Sequence, residues 1–128
     1  MKRCEIKAKI ALGKGKKISG QIEVLKCQGE KPPSFRNLPK NLKGKILVCP
    51  GEVFKSLLEK SMALGVYGVV ADKIADESLL RLEKELKTSW SPATFALLIV
   101  EEEIDWNKFE GKLGTIEVKE KRLVIELT

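Results

Sequence analysis

Hydrophobic and polar residues alternate near both ends of the chain. In "EIKAKIAL", residues 5–12, and in "ISGQIEVLKC", residues 18–27, apolar residues recur at every second position, which is typical of half-buried strands. The segment "GKGKK" between them supplies a Gly-rich turn, so these strands are predicted to form an antiparallel hairpin. "KLGTIEVKEKRLVIEL", residues 112–127, predicts a second hairpin with "KEKR" as its turn.

The middle of the chain has the pattern of parallel strands joined by helices. "KILVC", "VYGVVAD" and "ATFALLIV" are short apolar runs of the kind found in strands that are covered on both faces. Apolar residues at helical spacing follow the first run from Val53 to Met62, and Gly65 is the predicted C-terminal cap of this helix. A second helix is predicted after the second run, with Asp76 as its N-cap and with Leu79, Leu82 and Leu86 on one stripe. The predicted fold class is mixed α/β: a central βαβαβ unit flanked by antiparallel hairpins, as a mixed sheet or a partly closed barrel with two helices.

The length of 128 residues suits a single domain spanning residues 1–128. One long connector interrupts it, "QGEKPPSFRNLPKNLKG" at residues 28–44, and connectors of this length are either surface wrapping or functional. Strand character that continues to Leu127 raises the expectation that the chain was cut from a longer protein. No stretch approaches the roughly 18 apolar residues of a membrane span, so a cytoplasmic location without membrane contact is expected.

The chain contains no histidine, and this removes several kinds of chemistry. Ser-His-Asp and Cys-His catalysis need an imidazole, and zinc sites nearly always use histidine or closely spaced cysteines. Cys4, Cys27 and Cys49 are widely spaced. We therefore predict no catalytic residue, no metal ligand and no cofactor.

Positive charge is concentrated in the first third of the chain. Residues 1–45 hold 13 Lys and Arg against 3 Glu, whereas residues 46–128 hold 11 against 15 acidic residues. The candidate binding residues are cationic side chains of this region that are expected to be exposed: Lys14, Lys16, Lys17, Arg36, Lys40 and Lys43. They could contact an acidic face of another domain or subunit, or hold a polyanion such as nucleic acid through phosphate contacts. They could equally be a solvated surface, and Phe35 is the one aromatic residue before Phe54, which disfavours stacking of single-stranded bases.

The segment "CPGE" is a candidate ligand turn, because it follows a predicted buried strand and precedes a predicted helix. Backbone N–H groups at such a position can bind an anion, and Cys49, Gly51 and Glu52 are its candidate residues. Glu52 would itself favour the positive end of the helix dipole, which makes a helix-capping role the preferred interpretation. Cys49 is either a thiol activated by the helix or, as we favour, a buried small hydrophobe.

The stretch "LKGKILVCPGEVFKSLLEKSMALGVYGVVAD", residues 42–72, resembles the protease-associated domain and, more broadly, the swivelling β/β/α folds. The resemblance lies in a Gly-Lys-Ile strand, a Gly-containing turn, Phe54 near the start of a helix, the "ALG" helix end and a "GVVA" strand. It implies a swivelling β/β/α-like arrangement and a role as a module of a larger protein. Swivelling domains of phosphotransfer enzymes use a phosphorylatable histidine, which is missing here.

Together these patterns favour a non-catalytic binding or interaction module that contacts a partner through a basic N-terminal face. The partner would be another protein, another domain of the same assembly or a second copy of the chain. The alternatives are a sequence-nonspecific nucleic-acid-binding domain and a small enzyme that uses Cys49 and Glu52.

Overall fold

Eight strands and two α-helices make up the described part of the chain. The computed structural model describes residues 2–14, 17–25, 38–39, 41–87 and 94–127. The strands are β1 Arg3–Lys7, β2 Ile10–Lys14, β3 Lys17–Val24, β4 Ile46–Val53, β5 Gly68–Ile74, β6 Phe95–Ile99, β7 Leu113–Glu117 and β8 Arg122–Glu126. The helices are α1 Lys55–Ala63 and α2 Asp76–Leu86, with a short 3-10 helix at Trp106–Phe109.

All eight strands belong to one mixed sheet in the order β1-β8-β7-β3-β4-β5-β6-β2. The strands β3, β4, β5 and β6 are parallel neighbours, with α1 and α2 as the crossovers after β4 and β5. The remaining neighbours are antiparallel. The predicted mixed α/β class with a βαβαβ unit is therefore confirmed.

The sheet closes on itself through its first two strands. The strands β1 and β2 lie at opposite ends of the strand order, yet only Ala8 and Lys9 separate them along the chain. The Ala8 N–H donates to the Lys121 carbonyl (2.8 Å), next to β8, and the Lys9 N–H donates to the Ile99 carbonyl (2.8 Å) at the end of β6. One bent segment thus joins both edges, and the sheet becomes a partly closed barrel.

Two apolar layers lie on the two faces of the parallel strands. The outer layer is formed with α1 and α2, and it includes Leu47, Leu57, Val69, Leu82 and Leu97. The inner layer lies against the antiparallel strands, and it includes Ile6, Val48, Val70, Leu98, Ile116 and Leu123. Strands buried on both faces have apolar side chains at consecutive positions, which explains the continuous apolar runs of the sequence. The layers are therefore, in order, the antiparallel part of the sheet, its parallel part and the helices.

The predicted opening hairpin is wrong. The strands β2 and β3 follow each other along the chain, but β2 pairs with β6, and β3 pairs with β7 and β4. The alternating pattern identified strands correctly, but it carries no information about which strand is the neighbour. The run from residue 5 to residue 12 also divides into two strands at Ala8 and Lys9. The closing hairpin is confirmed, since β7 and β8 pair across the turn at residues 118–121.

Both helices follow their predicted spacing, with small shifts at their beginnings. Gly65 ends α1 as predicted: its N–H donates to the Met62 carbonyl (3.1 Å), and the next N–H, of Val66, donates to the Ser61 carbonyl (3.0 Å). The predicted N-cap of α2, Asp76, is instead its first residue, and Ala75 precedes it. Neither described helix has the length and apolar character that a membrane crossing requires.

Gly20 allows the segment after the long connector to approach β3. A Cβ atom on Gly20 would clash with the Gly44 carbonyl oxygen, whereas a Cβ atom on Gly68 would clash with the Cδ1 atom of Ile116 and make an ordinary contact with the Ala96 carbonyl oxygen. A backbone carbonyl cannot move away as easily as the end of a flexible side chain.

We expect Gly20→Ala to lower the free energy of unfolding by about 1–3 kcal/mol, the usual cost of overpacking. Gly68→Ala is the matched control and should cost less, because Ile116 can change rotamer. Denaturant titrations of both variants measure the difference. A Gly68→Ala variant that is less stable than Gly20→Ala would show that the contact between β3 and Gly44 is not rigid.

Candidate functional site

The carboxyl edge of the parallel strands is the region where open α/β sheets commonly bind ligands. Here β4 does not end at Cys49, as the sequence predicted, but continues to Val53 through a bulge. Cys49 is paired with Ala71 and Glu52 with Lys73, so Pro50 and Gly51 lie opposite the single residue Asp72. Proline has no N–H for the ladder, and Gly51 has a φ of 113°, which favours glycine. The "PG" pair therefore produces a bulge and not a turn.

The bulge leaves the Gly51 N–H without a partner in the strand ladder, and the Asp72 side chain accepts a hydrogen bond from it. The acceptor is the Asp72 Oδ2 atom, at 2.9 Å. Burial raises the pKa of the Asp72 carboxyl above its ordinary value, and this effect outweighs the hydrogen bond from Gly51, which lowers the pKa. The place where a ligand anion could meet the Gly51 N–H is thus taken by a side chain of the same protein.

The predicted roles of Cys49 and Glu52 have different outcomes. Cys49 is fully buried (0% exposed), as the packing interpretation predicts, and its reactivity stays a prediction. Glu52 lies in β4, and α1 begins only at Lys55, with no acidic residue in its first turn. The prediction that Glu52 caps this helix is wrong, because the bulge extends the strand by two pairs beyond Cys49.

A short cover lies over the end of the inner apolar layer. The segment after β6 leads to the 3-10 helix, where the rings of Trp106 and Phe109 meet edge to face with centroids 6.2 Å apart. Both side chains are buried. The Glu110 Oε2 atom then accepts the Val24 N–H (2.6 Å) at the end of β3. The inner layer is therefore closed at this end by aromatic packing and by a carboxylate that satisfies a strand end.

The sequence pattern of "EEEIDWNKFEG" predicts that this segment leaves the core with one helical turn, and that Trp106 anchors a core or an interface. The helical turn and the anchoring role of Trp106 are confirmed, whereas the departure of the segment from the core is wrong. Its charged letters suggest solvent, but Ile104, Trp106 and Phe109 all pack against the inner layer. The signal for burial was the spacing of Trp106 and Phe109. They are three residues apart, which places both on one side of a 3-10 helical turn.

The candidate cations lie in several places. Lys14 ends β2 opposite Phe95, Lys17 begins β3 opposite Glu117, and Lys43 is exposed just before β4. Lys16, Arg36 and Lys40 lie outside the described residues.

Lys17 takes part in a ladder of charges across the antiparallel strands. Its Nζ atom lies 3.3 Å from the Glu117 carboxylate, which also accepts a hydrogen bond from Arg122. The hydrogen bond from Arg122 is the main reason that the pKa of Glu117 is lowered. Arg122 also approaches Glu5 on β1, at 3.6 Å. Lys17 thus has an acidic neighbour within its own protein.

Other cations of the N-terminal third are also paired with acidic residues. Lys9 forms an ion pair with Glu101 (2.9 Å), and this contact raises the pKa of Lys9. Lys45 forms one with Glu23 (3.0 Å). Among the described residues, no three Cys, Asp or Glu side chains come together in an arrangement that could hold a metal ion. The basic excess of the sequence is therefore partly neutralised in three dimensions.

We expect Asp72→Asn to keep or raise stability at neutral pH, because the amide oxygen can still accept the Gly51 N–H without the cost of a buried charge. The folded-state pKa of Asp72 is raised, so its contribution to stability falls as the pH rises above the ordinary aspartate value of about 3.9. The stability gain of the Asn variant should accordingly grow across that range. Thermal unfolding at several pH values measures this.

Asp72→Ala is the contrasting variant, since it leaves the Gly51 N–H without its acceptor. We expect it to lose about 1 kcal/mol. Equal stability of the Ala and Asn variants at every pH would contradict the role given to this hydrogen bond.

We also expect Lys17→Glu to lower the melting temperature, because it places a second carboxylate opposite Glu117. Lys7→Glu is the matched control: Lys7 lies opposite Arg122, so the same charge change there creates an attractive pair. If both variants melted at the same temperature, the ladder would have no energetic role.

The comparisons with known proteins agree with this architecture. No family model matches the chain, and no curated protein matches it. Among solved structures, it is similar to a chain in the crystal structure of Thermococcus kodakaraensis aconitase X in its holo-form. The sequence identity is 15%, and the match covers 96% of this chain and 98% of that chain with a TM-score of 0.61. At this identity the similarity shows a shared α/β fold along nearly the whole of both chains.

Proposed function

We propose that the protein is a non-catalytic binding module, of the swivelling type, that acts within a larger assembly. The observation that carries this proposal is the state of the carboxyl edge. Gly51 donates to Asp72, Val24 donates to Glu110, and Lys9 is paired with Glu101. Groups that a catalytic site would present to a substrate are here engaged in holding the protein together.

The likeness to a chain of the aconitase X crystal structure supports the second half of the proposal. Aconitase X is an enzyme by its name, and the matched chain has nearly the same length as this one. A domain of this shape therefore occurs in the structure of an enzyme. In this chain the thiol near the carboxyl edge of the parallel strands, Cys49, is buried, and the chain has no histidine to activate it.

The order of layers supports a swivelling-type module, as does the resemblance of residues 42–72. Such a module needs a stable body and an outer surface that can contact another domain. Two members of the predicted basic face, Lys17 and Lys43, are exposed. Lys17 already pairs with Glu117, which leaves Lys43 as the better candidate for an outside contact.

We expect Cys49 to resist alkylation in the folded protein. A Cys4→Ser/Cys27→Ser variant leaves Cys49 as the single thiol, and its reaction with iodoacetamide can be followed by mass spectrometry. Labelling should be slow in buffer and rapid in denaturant, because a buried thiol must await an opening of the structure. Unfolded and folded samples that label at similar rates would contradict the proposal and would favour the enzyme alternative.

A further inference from the structure

The starts of β4, β5 and β6 meet at the amino edge of the parallel strands, opposite the carboxyl edge. The Gly44 N–H donates to the Gly65 carbonyl (2.8 Å), the Tyr67 N–H donates to the Lys45 carbonyl (2.9 Å), and the Ala96 N–H donates to the Tyr67 carbonyl (3.1 Å). These bonds join the starts of β4, β5 and β6 into one surface. A surface held by backbone hydrogen bonds is preorganised and loses little entropy on binding.

An exposed aromatic side chain lies in this surface. Tyr67 is 38% exposed, although it lies at the start of a buried strand. A Cβ atom on Gly44 would lie 3.7 Å from the Tyr67 ring, so the ring rests close to the Gly44 backbone. Tyrosine offers a large apolar area and a hydroxyl group at a low entropic cost, and it is enriched at the centres of protein interfaces.

Two exposed lysines lie toward the same edge of the sheet as Tyr67. Lys43 packs beside Gly65, with its Cγ atom 3.2 Å from the position of a Cβ atom on that glycine. Lys60 lies in the last turn of α1, where its backbone carbonyl accepts the Leu64 N–H. Both are exposed, and within the described ranges neither has an ion-pair partner. We call Lys43, Lys60 and Tyr67 the amino-edge patch.

We propose that the amino-edge patch is the docking site for an acidic, partly apolar segment of a partner protein. In this arrangement Tyr67 contacts an apolar side chain, while Lys43 and Lys60 pair with carboxylates of the same segment. The inference rests on the proposed binding function, and it moves the centre of the basic face from residues 14–17 to the loops that precede β4 and β5.

The surroundings favour a protein partner over nucleic acid. Binding of single strands uses several stacking rings along a continuous basic track, and this patch has one exposed ring. Two nearby cations, Lys17 and Lys45, are paired with Glu117 and Glu23, which shortens any track for phosphates. Among the described residues, these pairs leave a small cationic surface around one exposed aromatic side chain.

The opposite edge gives the docking its direction. Around the carboxyl ends of β5 and β6 the protein presents exposed acidic residues, namely Asp76, Glu77, Glu101, Glu102 and Glu103. Like charges repel an acidic partner from this edge. The exposed Lys73 lies there too, which makes it a matched control for charge changes.

The test uses three labelled probes of equal charge: a short peptide of alternating Glu and Leu, one of alternating Glu and Ser, and an oligothymidylate. Fluorescence polarisation at low salt measures their binding to the full chain. We expect the Glu-Leu peptide to bind more tightly than the other two. Lys43→Glu should weaken both peptides about tenfold, and Lys73→Glu should leave both unchanged.

Tyr67→Ser should remove the preference for the Glu-Leu peptide, whereas Tyr67→Phe should retain it. Melting temperatures confirm that each variant is folded, which is expected because all the altered side chains are exposed. The proposal is overturned if no peptide binds, if the oligothymidylate binds most tightly, or if Lys43→Glu and Lys73→Glu have equal effects. Each of these results leaves the Cys49 labelling experiment intact, so failure here is distinguishable from failure of the non-catalytic assignment.

Discussion

The architecture depends on two hydrogen bonds made by consecutive residues. Ala8 and Lys9 donate to the carbonyls of Lys121 and Ile99, and in doing so they join the two ends of an eight-stranded order. Without this bend, β1 and β2 would be open edges, and the inner apolar layer would no longer be closed at β1, which contributes Ile6 to it. The bend also explains how both faces of the parallel strands are covered with two α-helices in the described part of the chain.

Closure brings distant parts of the sequence together, and this redistributes charge. The N-terminal strands pair with strands from the acidic remainder of the chain, so Lys17 meets Glu117 and Lys9 meets Glu101. A basic N-terminal third therefore does not produce a uniformly basic surface. The Lys9–Glu101 pair is exposed on both sides and contributes little to stability, whereas Glu117 is buried. Both pairs change which cations remain available to a partner.

The two edges of the parallel strands differ in character. At the carboxyl edge, Asp72 and Glu110 accept backbone N–H groups from strand ends, and Trp106 closes the inner layer. At the amino edge, backbone bonds between loops leave Tyr67 and Lys43 facing solvent. The ligand-binding edge of many α/β proteins is here the self-contained one, and the edge opposite it is the better candidate for contact with a partner.

Local patterns were sufficient to predict the strand segments, both helices, the end of α1 at Gly65 and the burial of Cys49, although β1 and β2 were predicted as one strand. They were sufficient because side-chain periodicity and helix-end glycines depend on neighbours within a few residues. The division between β1 and β2, the partners of β2 and β3, the bulge at Pro50 and Gly51, and the packing of residues 104–109 against the inner layer were decided by tertiary structure. Each depends on a residue far along the chain: Phe95 opposite Lys14, Asp72 opposite the bulge, and the inner layer beneath the indole ring. Strand pairing and burial are properties of the closed sheet, and no window of the sequence contains both sides of such a contact.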